Sequence, residues 1–163
     1  RSSDLMRAAD GADWVLAMNR PGRETHLFLA ADPGWALVYL DEAAAIYVRA
    51  DAYPQLLPLR FSHLRPGALL GSLLEALRAA GGEPGALREI EGEVRRLRDA
   101  APDGVRALSL AVLLAQHLGR AQERDQLLER LLRAHPDHPG VGEVLRRVGR
   151  SEPWHTAARE APL

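Results

Sequence analysis

The sequence predicts an α+β protein. A small three-stranded α/β unit, an antiparallel hairpin plus one strand with two helices, is expected over 1–52, followed by an all-helical array of antiparallel hairpins over 63–150. Three observations carry this expectation. Up to Arg49 the apolar residues fall in short runs rich in aromatic and β-branched types, the mark of strands. Beyond Pro58 the leucines recur at three- and four-residue intervals, the mark of helices. Glycine and proline break the pattern where each run ends. Residues 53–62 read as a linker and 151–163 as a polar tail.

In order along the chain, Ser3 or Asp4 caps a first short helix running through Asp10, with Gly11 as its stop. Trp14-Val15-Leu16-Ala17-Met18 is a buried-strand pattern ended by Asn19-Arg20-Pro21-Gly22. Arg23 to Ala31 reads as a second helix, closed because Pro33 disfavours the helical region for the residue before it. Trp35–Leu40 and Ala44–Arg49 flank Asp41-Glu42, a gap that only an antiparallel hairpin can bridge. Both faces of these strands are mostly apolar, so cover is expected on more than one side. Trp14 and Trp35 are expected to anchor the sheet–helix core, whereas Trp154 lies in the tail.

Five helices follow. Leu69, Leu70, Leu73, Leu74 and Leu77 end at Gly81-Gly82; Leu87, Ile90, Val94 and Leu97 end before Pro102. Val105 to Leu118 stops at Gly119, Leu127 to Leu132 stops before Pro136, and Val141, Val144, Leu145 and Val148 mark the last helix. The short connections make neighbours antiparallel.

This half repeats. Pro102 and Pro136, like Gly85 and Gly119, are 34 residues apart, and Val94 and Leu97 fall on Leu128 and Leu131. That period is the one of tetratricopeptide helix pairs. Leu118-Gly119-Arg120 resembles the helix-ending Leu-Gly-Asp turn of that family, and Pro136 its closing proline; Arg124 and Leu131 depart from its small-residue positions. The alternative is a plain helical bundle. Two copies are too few to enclose a solenoid core, so the α/β half is expected to act as a cap.

Asp13-Trp14-Val15-Leu16, the run Leu29 to Tyr39 and the run Ala44 to Arg49 together resemble the extracytoplasmic C-terminal region of bacterial polytopic membrane proteins related to C-type glycosyltransferases and dolichyl-phosphate-mannose-type mannosyltransferases. The resemblance covers about the first third of the chain, and its strongest element is the Pro-Gly-Trp-x-Leu-Val-Tyr to Tyr-Val-Arg hairpin. It implies an accessory domain outside the inner membrane, with any catalytic carboxylates on upstream loops that nothing here matches.

The charge balance narrows the function classes. The 163 residues hold 21 basic side chains, all arginine, against 22 acidic ones, a net charge of -1, which lacks the basic surplus of a nucleic-acid footprint. Without cysteine, disulfides, thiolate metal sites and cysteine nucleophiles are excluded. No apolar run approaches the roughly 20 residues of a membrane-spanning helix, so the chain is expected to be soluble, with membrane attachment through upstream segments only. Its start, Arg1-Ser2-Ser3, reads as that of a processed chain or fragment.

Each candidate for chemistry has a plainer reading. Asp41-Glu42 are neighbours in a turn and point apart, unlike an acid/base pair. His135, Asp137 and His138, with His117, lack the spacing of a metal site; His117 reads as a partly buried packing residue. Ser62-His63 and Gly71-Ser72 lack the nucleophile elbow, and the glycines at 67, 71, 81, 82 and 85 form no phosphate cradle. Arg95, Arg96 and Arg98, and Arg146, Arg147 and Arg150, stand among glutamates at helical ion-pair spacing; contact with anionic lipid is the sharper reading. No catalytic, cofactor-binding or metal-ligating residue is assigned, and no cofactor is expected.

The expected role is a non-catalytic interaction and assembly domain, the soluble extracytoplasmic part of a larger membrane protein, with a protein or peptide partner, a homodimer through the open sheet edge, and no nucleic acid. The alternative is an accessory domain of a membrane glycosyltransferase that helps bind a lipid-linked sugar or acceptor. A cytoplasmic adaptor and a free-standing hydrolase or metalloprotein are the remaining readings.

Overall fold

A computed structural model describes residues 11–19 and 27–149. The expected helix over 3–10, the start of the expected helix at 23, Arg150, and the tail with Trp154 lie outside the described residues. The order of elements is β1 (Trp14–Met18), α1 (Leu27–Ala31), β2 (Trp35–Leu40), β3 (Ala44–Arg49), a 3-10 helix (Pro54–Leu59), α2 (Leu69–Ala80), α3 (Pro84–Ala100), α4 (Val105–His117), α5 (Ala121–Ala134) and α6 (Pro139–Arg147). The protein is of the α+β class. Between Ala101 and Pro102 the chain divides into two compact units.

The first unit is built on an antiparallel sheet of order β1-β3-β2. Asp32 starts β2: its Oδ1 accepts from the Gly34 amide at 2.8 Å, and its carbonyl accepts from the Trp35 amide, an Asx turn that Pro33 pre-shapes. Asp41 closes the β2–β3 hairpin, its Oδ1 accepting from the amides of Ala43 (2.8 Å) and Ala44 (2.7 Å). A bulge lies between Leu37 and Tyr39 where β2 meets β3. One sheet face is buried through Leu37, Leu40, Ala45 and Tyr47, and α1, with buried Leu29, packs against β2.

The expectation of cover on more than one side holds at Ala36 and Val48, which are buried on the second face, and fails on β1. Trp14, Leu16 and Met18 share the other face, and they are 57%, 61% and 56% exposed. Trp14 is therefore no core anchor: it stands on an outer strand, on the face turned away from Tyr47, while Trp35 is half-buried.

Residues 53–62, expected as a linker, contain the 3-10 helix, which contacts β2. The Phe61 amide donates to the Leu37 carbonyl at 2.7 Å and its ring is buried, with the Arg96 guanidinium 4.6 Å from the ring centroid. Proline at 54 and 58 denies the segment two amide donors and favours the short helix over an α-helix.

Helices α2 and α3 form a hairpin turned by Gly81 (φ 55°) and Gly82 (φ 91°), left-handed positions that glycine adopts without a Cβ clash. Glu83 then caps α3, its carboxylate accepting from the amides of Gly85 and Ala86. Their facing residues, Leu69, Leu73 and Leu77 with Ile90, Val94 and Leu97, are buried. In the second unit α4 packs against both α5 and α6. It is accordingly buried almost all round, from Ala107 to Ala115; among the described residues, the other buried apolar ones of the unit are Leu127, Leu128 and Leu131 of α5, Val141, Val144 and Leu145 of α6, and Val148.

The 34-residue period is visible in the backbone. Helices α3 and α5 end alike: the Ala101 amide (φ -140°) donates to the Leu97 carbonyl, and the His135 amide (φ -139°) to the Leu131 carbonyl. Gly104 and His138, again one period apart, both precede a helix in extended conformation. The Gly85–Gly119 equivalence does not hold. Gly119 forms the left-handed turn between α4 and α5 (φ 69°), whereas Gly85 sits in the first turn of α3, which begins at Pro84, nearer to Gly81-Gly82 than the 34-residue offset from Ala121 implies.

Candidate interaction surface

Three of the side chains weighed for chemistry, His135, His138 and Ser72, hold the backbone. The Nδ1 atom of His138 accepts from the Gly140 amide at 3.0 Å and caps α6, while His135 Nε2 donates to the Asp103 carbonyl. Their rings are 6.3 Å apart and edge-on, and among the described residues no group of three or more His, Asp and Glu could hold a metal ion. His117 is exposed, contrary to its expected packing role, because it is the last residue of α4. The Ser72 hydroxyl is buried, donating to the Leu69 carbonyl and accepting from the Arg65 amide. Arg146 and Arg147 both bind Glu143, at 2.5 and 2.6 Å.

Asp41 is more than a solvated turn residue. Partial burial works against its charge, but hydrogen bonds from Tyr39 Oη (2.7 Å) and from the Ala43 and Ala44 amides outweigh it and hold its carboxyl below the usual value. The same bond, then burial and the Asp41 charge, raise the Tyr39 phenol. Burial alone pushes Tyr47 up to about 12.

Two buried polar residues differ from expectation: Glu93, expected among the solvated ion-pair glutamates beside Arg95, Arg96 and Arg98, and Asn19, expected in the turn after β1. Glu93, 3% exposed, accepts from the amides of Ser62 (2.6 Å), His63 (3.1 Å to each oxygen) and Leu64 (2.8 Å). Its signal was present: position 93 falls on the stripe of Ile90, Val94 and Leu97, where a carboxylate must find donors. Asn19, 1% exposed, gives Nδ2 to the Asp41 carbonyl and accepts the Gly67 amide on Oδ1 at 2.7 Å. Nothing in local sequence pairs positions 19, 41 and 67.

In the second unit a groove of about 510 Å³ is lined by Asp103, Gln126, Glu129, Arg130, Arg133 and Ala134. Its cations are matched within it, Arg130 to Asp103 and Arg133 to Glu129, each at 2.8 Å, so it presents no uncompensated charge to an anion.

The surface that stands out is on β1. Register pairs Trp14 with Val48, Leu16 with Ile46 and Met18 with Ala44. The Arg49 amide donates to the Asp13 carbonyl at 2.9 Å and the Asn19 amide to the Ala43 carbonyl at 2.7 Å. Residues 13 and 19 therefore turn their backbone groups toward β3, as do 15 and 17 by alternation, and residues 14, 16 and 18 turn theirs to the outer edge. The residues with outward backbone are the three with exposed apolar side chains. Comparison with protein-family models, curated proteins and solved structures finds no match to this chain.

The two outer strands are treated differently. β2 carries the bulge and receives the Phe61 amide on its Leu37 carbonyl, both devices that blunt a sheet edge. β1 is regularly paired from Trp14 to Met18, contains no charge or proline, and among the described residues has no strand on its outer side.

Proposed function

We propose that this chain is a non-catalytic interaction and assembly domain that docks through the outer edge and face of β1, and that its helices are tetratricopeptide-like hairpins. One observation carries the reading: Trp14, Leu16 and Met18 present large apolar side chains to solvent on a strand whose edge groups point outward. Contiguous exposed apolar surface on a soluble domain marks a contact site, and strand addition supplies backbone hydrogen bonds to a partner. The recurrence of the same helix ending at Ala101 and His135 supports the helical-repeat part.

The setting we infer is the extracytoplasmic side of the bacterial inner membrane, as one part of a larger protein. Its support is the resemblance carried by the Trp35–Tyr39 and Ala44–Arg49 segments. Among the described residues no helix is long and apolar enough to cross a membrane, so in this reading other segments of the parent reach the bilayer.

The test places a photo-crosslinking amino acid at position 16, and in a second variant at exposed position 88, in the protein as it is made in its own cells. A discrete protein adduct from position 16, with none from position 88, is expected. Equal labelling at both, or none at position 16, would overturn the reading.

A further inference from the structure

We propose that the occupant of the β1 edge is β1 of a second copy, paired antiparallel about Leu16 to make one continuous sheet across two chains; this rests on the docking reading above. The strand reads Trp-Val-Leu-Ala-Met, so antiparallel self-pairing centred on Leu16 sets Leu16 against Leu16 and Trp14 against Met18. Every outward N–H and C=O of Trp14, Leu16 and Met18 then finds a partner, because directly opposed residues of this type exchange both bonds. Opposed residues also share a face, so the exposed apolar side chains of the two copies form one surface, with each Met18 thioether beside an indole, a favourable contact.

Charge favours this occupant. None of the five strand residues is charged, so self-pairing opposes no like charges, the feature that most often forbids it. A two-fold contact also uses the same patch twice and closes on itself, which fits β1 as the edge left open among the described residues, β2 being blunted. The area is small. One short strand and three half-exposed side chains per copy bury less than the roughly 1,200 Å² at which stable interfaces begin, so the association is reversible and rises with concentration.

Chemical crosslinking reads the register directly, since the native chain has no cysteine. Positions 14 and 18' would have Cα atoms about 5.5 Å apart, within disulfide reach, whereas 14 and 14' would not. Trp14→Cys and Met18→Cys chains are prepared separately, and oxidation is followed alone and mixed. The mixture is expected to crosslink at least about tenfold faster than either chain alone, and Leu16→Arg in both chains is expected to abolish the advantage. Sedimentation of the wild type is expected to show mass rising toward a dimer with concentration. Equal rates in mixed and unmixed samples, or a strict monomer at every concentration, would overturn the proposal. A strict monomer whose position 16 photo-crosslinks to a different protein would defeat self-pairing and leave the docking reading standing; no adduct at position 16 would defeat both.

Discussion

Glu93 is the residue on which the junction between sheet and helices of the first unit depends. Three consecutive amides, 62 to 64, end on one buried carboxylate, and charge-assisted bonds of this type are the stronger class. Glu93→Gln keeps the volume but removes the charge and turns an NH2 toward N–H donors. The expected loss is about 2–4 kcal/mol, read as a lowered denaturant midpoint at an unchanged slope; a change within about 0.5 kcal/mol would show the clamp to be incidental. The sequence displayed this residue as an interruption of an apolar stripe, yet its partners are some 30 positions away, and only the folded chain names them. Trp14 failed for a related reason. An aromatic in a strand pattern is equally compatible with either face, and the choice is made by which neighbour covers it.

Elements were more legible than residues. The three strands have the bounds that the apolar runs imply, and the five long helices stop at or near the glycines and prolines that punctuate them, because local backbone preference and period act within a few residues. The hairpin turn shows what composition alone hides: Asp41 acts as its clasp. With a carboxyl held below its ordinary value, it contributes stability that is present above the unfolded-state pKa, about 3.9, and is lost as pH falls through the depressed folded value. Asp41→Asn removes that dependence. Between pH 7 and pH 3 the wild type is expected to lose more stability than the variant, by no more than about 1 kcal/mol because the turn is partly solvated. Parallel pH profiles for the two would refute the assignment.

At the level of the molecule, the 34-residue period runs across Ala101 and Pro102, where the compact units divide. Periodicity specifies where helices begin and end; it does not say which helices share a core, and that division could not be read in advance. A core substitution tests it. Leu131 is fully buried within the second unit, and Leu131→Ala is expected to cost about 3 kcal/mol. Amide-exchange protection should fall through α4, α5 and α6 while the amides around Tyr47 and Leu73 keep theirs; an equal fall throughout would mean that the units unfold as one.

The Asn19 side chain gives a last consequence. It ties the end of β1 to the hairpin turn and to the approach to α2, and so works as an indexing pin. Were β1 to slide by one residue, every side chain would change face and the buried amide would lose both tethers. The greasy side of the strand is thereby locked outward, unable to hide by slipping, and its cover has to come from beyond the strand itself.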